Sequence, residues 1–102
     1  MVFYNTRVHS DFDKIRIGLL NWEKVILTEE FVINYIRDIQ NICDNLDTIF
    51  YHANTVYPVH KLYGSKVYTY KRNRQTTWYI IYNLDRHGNV FINKIMSNYQ
   101  TK

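Results

Sequence analysis

Residues 61–74 hold Lys61, Lys66, Lys71, Arg72 and Arg74, interleaved with Tyr63, Tyr68 and Tyr70. Cations match phosphates, and tyrosine rings stack on unpaired bases, so these are the residue types of a nucleic-acid surface. In an extended chain Lys66, Tyr68, Tyr70 and Arg72 share one face, because strand side chains alternate with period two. An edge strand guarded against aggregation by Lys and Arg has the same composition. Nearer the C-terminus stand Lys94 and Tyr99. An ammonium stabilises charge developing on a phosphate, and a phenol can move a proton or orient a base. The plainer alternative is a solvent-facing lysine and a tyrosine that closes the core.

Other chemistries lack their residues. There is no Gly-rich phosphate loop, paired-cysteine pattern or nucleophile elbow. His9, His52, His60 and His87 lack metal-ligand spacing and read as surface residues, so neither metal nor cofactor is expected. The lone Cys43 excludes an internal disulfide, fits a reducing cytoplasm and falls on an apolar helix face as a core residue. The early Arg7, Asp11 and Asp13 argue against a secretory signal, and no apolar run is long enough for a membrane span. At 102 residues and 46% hydrophobic the chain is expected to form one domain, 1–102. Lysine and arginine outnumber acids 13 to 9, which suits a polyanion or an acidic protein partner without choosing between them.

The elements that would position these groups follow from periodicity. Val2 to Val8 alternates loosely and reads as a strand. Ser10 with Asp13 has capping-box spacing, and Phe12, Ile15, Leu19 and Trp22 form one helical face, interrupted by Gly18. Thr28 is a second N-cap, with Glu29 and Glu30 at the positive end of the helix dipole. Val32, Ile36, Ile39, Cys43 and Leu46 then repeat as an apolar stripe, opposite Asn34, Asp38, Asn41 and Asn45. Tyr51 to Gly64, with the only proline, reads as a connector. Val67 to Arg72, Trp78 to Leu84 and Val90 to Met96 read as strands, the last two joined by a loop holding Gly88. Strand, helix, helix and three consecutive strands predict an α+β two-layer domain. Its small antiparallel sheet would carry two helices on one face and leave the other open to water, ligand or partner.

Three segments resemble the RelE/ParE superfamily of bacterial toxins. His60-Lys61-Leu62-Tyr63-Gly64 is similar to the family's K-L-x-G approach to its sheet. Trp78-Tyr79-Ile80-Ile81-Tyr82 is similar to its Y-R-I-I-Y central strand, and Ile95-Met96-Ser97-Asn98-Tyr99 to its final strand and G-H-Y-like tail. The resemblance spans most of the chain. It implies the toxin of a type II toxin–antitoxin pair, neutralised by a cognate antitoxin that wraps it. RelE-like members cut mRNA on the ribosome and inhibit translation. ParE-like members inhibit DNA gyrase and cleave nothing, and a degenerate member would only bind antitoxin.

Carried over by position, Tyr99 matches the family's terminal tyrosine. Tyr79 stands where the family has arginine, and Asn98 where it often has histidine. The resemblance then implies Tyr99, Arg72, Arg74 and Lys94 as catalytic candidates and Lys61, Lys66, Lys71, Tyr70 and Tyr79 as RNA-binding candidates. Cleavage does not require an orthodox acid–base pair. The 2′-hydroxyl is the nucleophile, and the protein chiefly positions it and stabilises charge.

Overall fold

In the computed structural model, which describes residues 1–21 and 28–101, the strongest sequence pattern becomes the longest helix. Strand β1 (Val2–Tyr4) is followed by α1 (Arg7–Leu20) and α2 (Glu29–Asp44). Then come β2 (Ala53–Asn54), α3 (Pro58–Lys61), β3 (Lys66–Lys71), β4 (Thr77–Leu84) and β5 (Val90–Ser97), with 3-10 turns at Leu46–Thr48 and Asn98–Gln100. The Thr28 hydroxyl accepts from the Phe31 N–H, as an N-cap should. Val32, Ile39, Cys43 and Leu46 are buried and Ile36 half-buried. Burial, then the nearby Asp44 charge, pushes the Cys43 thiol up to about 12, as suits a core residue.

The first helix differs from its expected start. It begins at Arg7 rather than after Ser10, and the Asn5 side chain accepts from the Arg7 N–H. The strand is correspondingly shorter, because Val8 is needed in the core and is fully buried there. Ile15 is buried and Phe12 and Leu19 are half-buried. Trp22 lies outside the described residues.

The domain is α+β, and its five-stranded sheet runs β1-β5-β4-β3-β2. It is mixed rather than antiparallel. β1 pairs in parallel with β5, Val2 beside Val90, while the remaining pairs are antiparallel. The parallel pair is possible because both long helices lie between its strands in sequence. Trp78, Ile80 and Tyr82 of β4 and Ile92 and Ile95 of β5 form one core with Ile15 of α1 and Ile39 of α2. Both long helices therefore cover the same sheet face. Among the described residues, no helix is long and apolar enough to cross a membrane.

The expected connector builds structure of its own. It contributes edge strand β2 and short helix α3, with Pro58 in its first turn, where the missing N–H is no loss. This segment also closes much of the sheet face expected to be open. Tyr79, Ile81 and Met96 alternate away from the long helices, and His60 of α3 is fully buried on that side, against the Tyr79 ring, rather than on the surface. Gly64 makes the close approach possible, since a Cβ there would lie 2.7 Å from the Tyr82 carbonyl oxygen.

Two glycines thus predict opposite outcomes. Gly64→Ala forces backbone against backbone and should destabilise the domain by about 1–3 kcal/mol. A methyl on helical Gly18 meets nothing within 4 Å, and Gly18→Ala should stabilise by about 0.5–1 kcal/mol. Urea unfolding of both variants checks the pair.

Candidate functional site

Strand β5 creates the site by changing neighbours along one edge. Its pairing with β1 ends at Ile92, with the Asn5 N–H donating to the Ile92 carbonyl just beyond. A bulge opposite Ile81 and Tyr82 then puts both Asn93 and Lys94 between the core-facing Ile92 and Ile95. Asp11 of α1 takes over the vacated edge. One carboxylate oxygen accepts the Ile95 N–H at 3.1 Å, the other the Lys94 ammonium at 2.8 Å. Asp11 is only 4% exposed, so its charge stays inside because both oxygens are bonded. Lys94 also approaches the Tyr63 ring, Nζ 5.4 Å from its centroid.

A cleft of about 640 Å³ opens between α1, the start of α2 and the ends of β3, β4 and β5. Among the described residues, Lys14, Arg72, Lys94 and Tyr99 line it with Tyr35 and Trp78 at its base. Arg72, Lys94 and Tyr99, drawn from separate stretches of sequence, are thereby brought to one place. Tyr99 is 62% exposed on the 3-10 turn after β5.

Arg72 is held on three sides. Its guanidinium lies 4.2 Å from the Tyr35 ring centroid, pairs with Asp38 of α2 and donates to the Tyr70 hydroxyl at 3.0 Å. Partial burial opposes its charge, but the bonds to Asp38 and Tyr70 outweigh that and hold it above its ordinary value. Burial pushes the Tyr35 phenol up, countered in part by the Trp78 indole N–H, which donates to it at 2.7 Å. Trp78 meets Tyr35 edge-on at 84°. The base of the cleft is therefore a fixed aromatic and cationic frame.

The other candidates lie elsewhere. Arg74 is exposed in the β3–β4 loop and does not line the cleft. Tyr68 and Tyr70 pack onto the helix-facing core, so the interleaved basic and aromatic face of β3 is turned inward rather than open. Lys71 projects from the opposite face, beside Thr77. Lys66 donates to Asn54 at 2.6 Å near the β2 edge, and Lys61 ends α3 beside a shallow polar depression. Tyr79 is on the second face against Tyr57 and His60.

Sequence reasoning missed Asp11, Lys14, Tyr35 and Asp38. Arg7, Asp11 and Lys14 follow helical spacing, a polar stripe that marks a face meeting something charged. Asp38 fell in the polar rhythm of α2 and read as solvated. No protein-family model, curated protein or solved structure matches this chain.

The two carboxylates should differ sharply on removal. Asp11→Ala leaves a buried N–H and an ammonium unpaired and should cost about 3 kcal/mol. The Asp38 side chain is half-exposed, so Asp38→Ala should cost at most about 1 kcal/mol. Denaturant midpoints of the two variants, measured side by side, test the difference.

Proposed function

We propose that this chain is a RelE/ParE-like toxin of a type II toxin–antitoxin pair that acts in the cytoplasm as a ribosome-dependent mRNA endoribonuclease. The observation that carries the reading is the convergence of Arg72, Lys94 and Tyr99 on one cleft. In the proposed reaction an mRNA 2′-hydroxyl gives its proton to water as its oxygen bonds to the adjacent phosphorus, while the bond from phosphorus to the 5′-oxygen breaks. Arg72 stabilises the charge that builds on the phosphate, and Lys94 sets the potential of the cleft wall. Tyr99 gives a proton to the departing 5′-oxygen or stacks on a base beside it. Arg74 and Lys71, outside the cleft, would meet the RNA backbone or ribosome at longer range. The cognate antitoxin would bind the same chain and silence it.

One observation favours a second reading. Of the cleft cations, Arg72 and Lys94 already face carboxylates, Asp38 and Asp11. A ParE-like toxin that grips DNA gyrase without cleaving anything needs no unpaired cation. A member that binds only antitoxin would arrest neither process.

The test is primer extension on a translated message with purified ribosomes. Wild type should cut, and Tyr99→Phe should cut about 10²- to 10⁴-fold more slowly if the phenol moves a proton. A loss of about tenfold or less would assign stacking, because the ring remains. No cleavage by wild type, together with inhibition in a supercoiling assay, would transfer the assignment to gyrase.

A further inference from the structure

The turn that carries Tyr99 is fastened from the far side of the sheet. The Ser97 N–H donates to the Gln100 side chain at 2.9 Å, and the Thr101 hydroxyl donates to the Ser97 carbonyl at 2.8 Å. The same hydroxyl lies 3.0 Å from His60 Nε2. A hydroxyl has one proton, and here it goes to Ser97, so Nε2 must carry the proton it shares with Thr101. The reverse assignment would leave the Ser97 carbonyl without that donor and a buried Nδ1–H without an acceptor. His60 Nδ1 has no partner among the described residues, and the side chain is 0% exposed.

The surroundings fix which form of the ring fits. His60 lies against Tyr57 and Tyr79, with ring centroids 5.1 and 4.7 Å away. The titratable groups packed on its ring are thus two phenols, which carry no negative charge at or below neutral pH and so offer no counter-charge to a protonated imidazole. A proton on Nδ1 would create a buried N–H with no acceptor and a buried charge with no counter-charge.

We propose that His60 is a positioning residue whose Nε2–H fastens the C-terminal turn, and with it Tyr99, to the sheet, and that because this buried site accepts only the neutral ring, acid opens it and releases Tyr99 from the cleft wall. The consequence for RNA cleavage rests on the proposed role of Tyr99, whereas the latch itself does not. Burial lowers the basicity of His60 below its ordinary value, in keeping with the geometry. The sign follows. Above about pH 6.5 the ring is neutral folded and unfolded, and the native contact is intact. Below that value the unfolded chain binds a proton that the native site resists, so stability falls as the medium is acidified.

The experiment is NMR on the full chain, wild type and His60→Gln, at about pH 7.5 and about pH 5, either side of the ordinary imidazole value. Imidazole nitrogen shifts should show the Nε2–H form at the higher pH. Protection of the Thr101 amide against hydrogen exchange, corrected for intrinsic rate, should fall about tenfold or more on acidification in wild type. His60→Gln can donate to the same oxygen but does not titrate, so it should keep its protection at both values. An Nδ1–H tautomer, or equal loss of protection in both proteins, would overturn the proposal. His60→Leu should lack the protection at either pH, and if it does not fold the comparison with glutamine still decides. A latch that behaves as expected in a protein that cuts no RNA would sink the nuclease reading alone.

Discussion

The arrangement depends on how β5 satisfies its outer edge. A strand edge inside a domain needs a partner for each N–H and C=O, and β1 supplies partners only along Val90–Ile92. Extending β1 would continue the ladder but leave no room for α1 to turn back over the sheet, where Val8 and Ile15 close the core. Asp11 is the solution: a carboxylate on the helix acts as a short substitute for a strand. That single residue ties α1 to the sheet, fixes Lys94 and leaves a cleft where a longer first strand would have run.

The sheet is buried on two faces by different means. Towards the long helices the contacts are aliphatic and aromatic, with the Trp78 indole and Tyr35 phenol paired so that neither polar end is wasted. On the second face the cover is a short helix and a C-terminal turn. His60 stands between Tyr57 and Tyr79 there. Rings supply area that a four-residue helix cannot, which is why the segment can close a face with so little regular structure. The two covers meet at β5: Ser97 belongs to the cleft lining, and its carbonyl holds the turn that reaches His60.

Elements with long periodic patterns were legible in the sequence. Helix α2, β3, β4 and β5 were expected close to where they lie, because burial on one face imposes its spacing on the residues. What failed depends on partners distant in sequence. The parallel β1–β5 pair cannot be read from local alternation, since it joins Val2 to Val90. β2 is too short to show a period. The inward turn of Tyr70 was unreadable for a different reason: alternation says which residues share a face, but not which face meets the helices. The same limit explains the candidate site. Lys94 and Tyr99 were singled out by residue type, whereas Asp11, which gives Lys94 its place, carried no signal beyond helical spacing with Arg7 and Lys14.

The two carboxylate-paired cations of the cleft, Arg72 and Lys94, are not equivalent, and the difference lies in their carboxylates. The Arg72 side chain is 21% exposed against a half-exposed Asp38, so water screens the pair and either partner can be replaced at little cost. A guanidinium also keeps N–H groups beyond those given to Asp38 and Tyr70, in a planar fork that matches two phosphate oxygens. Lys94 faces an Asp11 that is almost wholly buried and also serves the Ile95 backbone. Drawing Lys94 away would strand that carboxylate without its counter-charge, a far larger penalty. An incoming anion would therefore exchange places with Asp38 on Arg72 and leave the Lys94–Asp11 pair intact. Arg72 is the cation whose pairing can be exchanged at little cost, and Lys94 is the cation whose pairing holds the wall of the cleft in place.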